Sequence, residues 1–254
     1  MRHLFTAEGE SELASLVARQ PLLAFDFDGT LAPIVARPEL ARVPVATLRR
    51  LRQLAQRLSL AVISGRSVAD LRSRLGFEPA YVVGSHGAED PHQDHPAAWS
   101  TSLAGLRERA RRAAGELQHA GVSVEDKGAS LALHYRRAAD RTAARAAIER
   151  LLHPLDPQLH VFGGKMVINV VPAAADDKAA ALRRLAQRTR ASAVLYLGDD
   201  VNDEPVFAAG EASWLSVRVG AHRASAARYF IAGPHEMPRL LDRILALTAA
   251  PAGP

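Results

Sequence analysis

The sequence predicts an α/β protein, a doubly wound parallel sheet interrupted by an inserted second α/β domain. Three observations carry that prediction. Short apolar runs without alternation, such as Leu22-Leu23-Ala24-Phe25 and Leu60-Ala61-Val62-Ile63, suit strands buried on both faces. Helical patterns separate them, as the crossovers of a parallel sheet require. Near Asp90 the pattern changes to paired short strands with glycine turns, and the buried-strand pattern resumes at Val194.

The elements follow in order. A first helix is expected over Ser11–Arg19, stopping before Pro21. The strand Leu22–Phe25 leads directly into Asp26-Phe27-Asp28-Gly29-Thr30-Leu31. A helix starts near Val45, with Leu48, Leu51, Leu54 and Leu58 at helical spacing. The strand Leu60–Ile63 ends at Ser64-Gly65-Arg66, and a helix over Val68–Leu75 and a strand over Tyr81–Val83 come next. The polar stretch from Asp90 to Pro96 holds two prolines and reads as a hinge. Beyond it the pattern predicts a helix over Ser102–Ala120 and strands over Val122–Val124 and Ser130–Arg136. A helix over Arg141–Leu152 and strands over Leu159–Phe162 and Met166–Val171 follow, with turns at Gly128 and Gly163-Gly164. The core resumes with Val194–Leu197, then Gly198-Asp199-Asp200. Strands over Trp214–Val217 and Tyr229–Ile231 and a helix over Glu236–Leu247 close it. The expected domains are 1–95 with 172–254 for the core and 96–171 for the insert.

Composition narrows the chemistry. Of 254 residues, 48% are hydrophobic, enough for a sizeable core, and none is cysteine. Disulfides, a thiolate nucleophile and Cys-based zinc sites are thereby excluded, so covalent chemistry falls to oxygen or nitrogen. Met1–Glu10 has no apolar signal core, and no run approaches the roughly 18 apolar residues of a membrane span. A cytoplasmic protein without a membrane partner is expected. The net charge is +5, carried mainly by arginine. It fits nucleic-acid binding, attraction of a small anion, or solvated basic helix faces. The basic residues are scattered, and aromatics make up only 5% of the chain, so no stacking surface accompanies them. No nucleic-acid partner is expected, and a monomer is.

Polar residues stand where a buried core would not choose them. Asp26 and Asp28 leave the first buried strand, Ser64 leaves the second, and Asp199, Asp200 and Asp203 leave a later one. Ligands of a doubly wound sheet gather at those strand ends. Several carboxylates in one crevice require a compensating cation, and oxygen-only ligands point to Mg²⁺. Such a site suits phosphoryl transfer. Asp26 would attack phosphorus, and Asp28 would protonate the leaving oxygen and then deprotonate water. Ser64 and Lys178, which opens a helix, would hold phosphate oxygens. Asp-x-Asp-Gly alone also occurs in turns and calcium loops; its weight comes from the other strand ends. Asp200 either serves the site or caps the turn that follows.

These four motifs, in this order, resemble the haloacid-dehalogenase-like hydrolase superfamily, with its Rossmann-like hydrolase core. More narrowly, the chain is similar to trehalose-6-phosphate phosphatases. The narrower likeness rests on Gly84-Ser85-His86-Gly87-Ala88-Glu89, on Leu131-Ala132-Leu133-His134-Tyr135-Arg136, on Gly164-Lys165-Met166-Val167 before Pro172, and on Gly198-Asp199-Asp200-Val201-Asn202-Asp203-Glu204. It covers about Pro21 to Leu247. It implies a nucleophile at Asp26, an acid/base at Asp28, and Mg²⁺ ligands at Asp26, the Asp28 carbonyl and Asp199, with Asp203 in support. It implies hydrolysis of trehalose 6-phosphate through an aspartyl-phosphate, under a cap hinged near Ala88–Ala98 and Val171–Asp176. Sucrose 6-phosphate, mannosyl-3-phosphoglycerate and binding without turnover are the alternatives. Gly65, Arg66, His86, Gly87 and Asn202 in the core, and His134, Arg136, Lys165 and Asn169 in the cap, are the expected substrate contacts.

Strand parity bears on the cap residues. Leu131, Leu133 and Tyr135 fall on one face of their expected strand and His134 and Arg136 on the other, while Lys165 and Asn169 share a face. A sugar-binding face or a solvated polar face both fit. The chain departs from the family at Asn169, where a glutamate is usual, and at Ala179, where glycine follows the motif lysine. His92, Asp94 and His95 offer ligands for a transition metal, but a hinge between prolines is a poor rigid site.

Overall fold

In a computed structural model, described for residues 1–93, 97–164 and 166–249, the chain forms two compact units. One comprises Met1–Asp90 and Asp177–Pro254, the other Pro91–Asp176. In chain order the elements are β1 (Arg2–His3), α1 (Ala7–Val17), β2 (Leu22–Phe25), α2 (Val45–Leu54), β3 (Leu60–Ile63), α3 (Val68–Leu75) and β4 (Tyr81–Val83). The second unit holds α4 (Ala97–Arg112), α5 (Ala114–His119), β5 (Ser123–Asp126), β6 (Leu131–His134), α6 (Arg141–Leu152), β7 (Leu159–Gly164) and β8 (Val167–Pro172). The chain then returns through α7 (Lys178–Thr189), β9 (Val194–Gly198), α8 (Glu204–Phe207), β10 (Trp214–Val219), β11 (Tyr229–Ile231) and α9 (Met237–Ala249).

The first unit is built on a parallel seven-stranded sheet of order β1-β11-β10-β9-β2-β3-β4. Successive residues of each inner strand enter different cores. Leu23, Phe25, Leu60, Val62, Leu195 and Leu197 pack with apolar residues of α1, α2, α3 and α9. Leu22, Ala24, Ala61, Ile63, Val194 and Tyr196 pack with α7 and α8. Burial on both faces explains why these strands read as unbroken apolar runs.

The second unit carries an antiparallel sheet of order β5-β6-β8-β7. One face, with Leu131, Leu133 and Val170, packs on residues of α4, α5 and α6 such as Leu106, Leu117 and Ile148. The pairing Ala132 to Asn169 to Phe162 lies on the other face.

The structure differs from the sequence expectations in several places. The first helix starts at Ala7 because the Thr6 hydroxyl accepts the Gly9 N–H and caps it. The expected helix over Ser102–Ala120 starts earlier and divides at Ala113, whose ψ of 7° is not helical. β6 ends at His134, so Tyr135 and Arg136 lie beyond it. Gly163 and Gly164 belong to β7, and the left-handed residue of that hairpin is Met166, at φ 64°. β1 has no pattern behind it; it is held by backbone pairing to β11. Among the described residues no helix is long and apolar enough to cross a membrane.

Candidate active site

β2 lies between β9 and β3, so the sheet runs outward from it in both directions. That is a topological switch point, where strand ends part and leave a crevice. Asp26 is the first residue past β2, and its N–H donates to the Leu197 carbonyl at 2.8 Å. The chain then turns tightly: the Phe27 carbonyl accepts the N–H groups of Thr30, Leu31 and Ala32 at 3.3, 3.0 and 2.9 Å. Gly29, at φ 82°, is needed for this turn and for a close approach. A Cβ there would lie 2.2 Å from Asp199 Oδ2, and one at Gly198 would lie 2.3 Å from Asp203 Cγ. Two glycines thus admit two carboxylates to the crevice.

Lys178 is the first residue of α7, whose N-cap is Asp177. Its Nζ donates to Asp26 Oδ1 at 2.8 Å and to Asp203 Oδ1 at 2.7 Å, in a buried network. Asp203 is engaged through both oxygens. Oδ1 also accepts the Tyr196 hydroxyl at 2.7 Å, and Oδ2 accepts the Asp200 N–H at 2.9 Å. Burial pushes the Asp26 carboxyl well above its ordinary range; Lys178 opposes this, and Asp203 and Asp199 add to it. Burial alone would lower Lys178, but Asp203 and Asp26 outweigh it and hold the ammonium above its usual value. Burial and the Asp203 charge likewise raise the Tyr196 phenol.

A second network stands beside the first. Arg66 Nε donates to Asp28 Oδ2 at 2.6 Å and Nη2 to Asp28 Oδ1 at 2.7 Å, a two-pronged grip. Its Nη1 donates to Asp70 Oδ2 at 2.7 Å, and Nη2 also reaches the Pro38 carbonyl at 2.9 Å. Arg74 Nε holds the other oxygen of Asp70 at 2.8 Å. Burial would raise the Asp70 carboxyl, but Arg74 and Arg66 outweigh it and hold it below its ordinary value.

Ser64 is buried, and its Oγ accepts the Arg66 N–H at 3.3 Å. The loop after β4 is strongly shaped: Ser85, His86 and Gly87 have φ of 50°, 61° and 118°. Two non-glycine residues in succession with positive φ store strain. The loop is held by Ser85 N–H to the Arg66 carbonyl at 2.8 Å and His86 N–H to the Ser64 carbonyl at 2.9 Å. The His86 ring then lies against Gly65, where a Cβ would be 2.4 Å away. Asn202 is half-buried in the turn after Asp200. Asp200 caps that turn, accepting the Val201 N–H at 2.8 Å.

Oxygens of Asp26, Asp199 and Asp203 lie within 4.8 Å of one another. Three carboxylates near one ammonium leave negative charge in a partly buried crevice, and Asp203 and Asp199 add to the burial that raises the Asp26 carboxyl. An oxygen-loving divalent cation such as Mg²⁺ fits this donor set. Asp203 already serves Lys178, Tyr196 and a backbone N–H, so Asp26 and Asp199 are better placed as ligands.

Residues 24–234 match the trehalose-phosphatase family. The chain belongs to that family. A trehalose-phosphate phosphatase of Mycobacterium tuberculosis is 35% identical over 244 residues, covering 90% of this chain and 62% of the relative. A second M. tuberculosis protein, described as an uncharacterized glycosyl hydrolase, is 36% identical over 247 residues, 90% of this chain and 18% of its own length. This chain therefore spans less than two thirds of the length of these relatives. The solved C-terminal domain of the trehalose-6-phosphate phosphatase of C. albicans superposes with a TM-score of 0.74 at 22% identity, over 94% of this chain and 96% of that one. This last likeness concerns the fold alone, and a haloacid dehalogenase-like hydrolase from Bacteroides thetaiotaomicron is similar in fold too, with a TM-score of 0.63 at 17% identity over 88% of this chain and 99% of that one.

Within this trehalose-phosphatase family member, the cap candidates are distributed unevenly. His134 Nε2 lies 2.8 Å from Glu125 Oε2, on the face away from the helices. Asn169 is buried, and its Nδ2 has no hydrogen-bond partner. Arg136 is exposed in the turn past β6. Lys165 lies outside the described residues, as do Asp94 and His95; His92 is exposed in a turn. Tyr196, Asp70, Arg74 and Arg218 escaped the sequence reading. Arg218 holds the Asp199 carbonyl and pairs with Glu204 at 2.8 Å, steadying the loop that presents Asp199.

Proposed function

We propose that this chain is a Mg²⁺-dependent phosphatase that converts trehalose 6-phosphate and water to trehalose and phosphate. The observation that carries the proposal is Asp26, held 2.8 Å from Lys178 at a switch-point strand end, with Asp199 and Asp203 around it and Asp28 two residues on. The mycobacterial relative's activity supports the choice of sugar.

Asp26 attacks phosphorus, and the bond from phosphorus to the sugar oxygen breaks. Asp28 delivers a proton to that oxygen. Water then attacks the aspartyl-phosphate, Asp28 takes its proton, and phosphate leaves with Asp26 restored. Lys178 offsets negative charge on the Asp26 side, and the Ser64 hydroxyl serves a phosphate oxygen. Gly65, His86, Gly87 and Asn202 are assigned to the phosphate-side surroundings; Arg66, gripped by Asp28 and Asp70, is not. Asp26, Asp199 and the Asp28 carbonyl would hold Mg²⁺, with Asp203 in support. The cation, when bound, reduces repulsion between the carboxylate and the phosphate dianion. His134, Arg136, Lys165 and Asn169 are assigned to reading the sugar.

The test is phosphate release from trehalose 6-phosphate, with and without Mg²⁺, beside glucose 6-phosphate and sucrose 6-phosphate. A preference for trehalose 6-phosphate that vanishes with EDTA and returns with Mg²⁺ is expected. Preference for another sugar phosphate overturns the substrate; full activity in EDTA overturns the cofactor.

A further inference from the structure

The guanidinium of Arg66 has five N–H donors. Four are spent within its own unit, two on Asp28, one on Asp70 and one on the Pro38 carbonyl. A phosphate could take the two-pronged edge only by displacing Asp28. Arg66 is therefore better suited to orient Asp28 than to grip substrate. Its own direction is set from behind. Asp70 accepts from Arg66 on one oxygen and from Arg74 on the other, and Arg74 also holds the Glu39 carbonyl. Both arginines thus fasten to the short turn Pro38–Leu40. Asp70 in turn rides on the first turn of α3, where its N–H is capped by Ser67 at 3.3 Å. The chain of contacts runs from a capped helix, through Asp70 and Arg66, to the carboxylate two residues beyond the nucleophile.

We propose that Asp70 is a positioning residue: it fixes the Arg66 fork, and the fork holds the Asp28 carboxylate in the orientation from which it serves the leaving oxygen. This rests on the phosphatase reading above. It assigns a role to Asp70 and moves Arg66 from substrate contact to positioning. A sugar alkoxide leaves only with a proton, whereas 2,4-dinitrophenolate leaves without one. Loss of acid positioning is therefore selective for the leaving group, and a general loss of fold or of phosphate grip is not.

The experiment compares kcat/KM, which reports events up to leaving-group departure, for the full chain on trehalose 6-phosphate and on 2,4-dinitrophenyl phosphate. Asp70→Asn is expected to lower it about tenfold on the sugar phosphate, part of the 10²–10⁴ that acid–base catalysis supplies, and less than about twofold on the aryl phosphate. Arg66→Lys keeps the charge, loses the fork, and is expected to show the same selectivity; it carries the test if Asp70→Asn does not fold. An equal loss on both substrates, or none on either, overturns the proposal. A parent chain that hydrolyses neither substrate instead sinks the phosphatase reading, and this inference with it.

Discussion

Lys178 and Arg66 each bridge two aspartates at the end of the same sheet, yet their surroundings differ. The side chains of Lys178, Asp26 and Asp203 are 3%, 7% and 0% exposed. Those of Arg66, Asp28 and Asp70 are 12%, 36% and 31% exposed. In the buried network, position is fixed by charge that has nowhere else to go, and removing one member leaves an uncompensated ion. In the open network, water competes for every contact, so geometry must come from a forked donor and from repeated anchoring. The division suits the proposed chemistry: the nucleophile is held rigidly, while the acid/base stays open to water and to a leaving group.

Four experiments break or sharpen this contrast. The largest effect is expected from Asp26→Asn, which removes the attacking oxygen. Initial rates on trehalose 6-phosphate should fall by about 10³-fold or more; a variant within tenfold of the parent would end the covalent scheme. Next comes Lys178→Met, which strands two buried carboxylates. Urea unfolding in metal-free buffer should show a loss of about 3–5 kcal/mol, and an unchanged midpoint would mean that the buried network does not depend on its cation. Asp199→Asn should raise the Mg²⁺ concentration for half-maximal rate by more than about tenfold. An unchanged Mg²⁺ titration would remove Asp199 from the metal site. The smallest effect is Asp70→Asn on stability, less than about 1 kcal/mol after solvent screening. Its sign follows from the lowered carboxyl: the contribution is present at neutral pH and is lost as pH falls through the folded-state value. The parent and variant unfolding curves should therefore converge on acidification below about pH 4; a gap that widens there would contradict the Arg66 and Arg74 pairing.

Much of the first unit could be read directly. β2, β3, β4, α3 and β11 lie where the sequence places them, because a strand buried on both faces leaves an unmistakable apolar run. In the second unit α6 also lies where the sequence places it, and the structure adds its cap, Asp140, which accepts the Thr142 and Ala143 N–H groups. β1 could not be read, since two residues have no periodicity and owe their state to β11. The break at Ala113 was hidden because its flanking residues are good helix formers. The strand-end carboxylates Asp26, Asp28, Asp199 and Asp203 were legible as polar residues closing apolar runs. Tyr196 was not, because from sequence it is one more residue of a buried strand; only the fold brings its hydroxyl to Asp203. Asp70, Arg74 and Arg218 looked like ordinary solvated charges for the same reason.

The contact between Lys178 and Asp26 joins residues 152 positions apart, whereas Arg66 and Asp70 are only four apart. No local fragment of the chain can contain the first contact. Closing so long a loop costs entropy that other contacts must repay, whereas the Arg66–Asp70 pair closes almost none. During refolding, helical signal is expected to return before the proposed turnover, which needs both ends of that loop brought together.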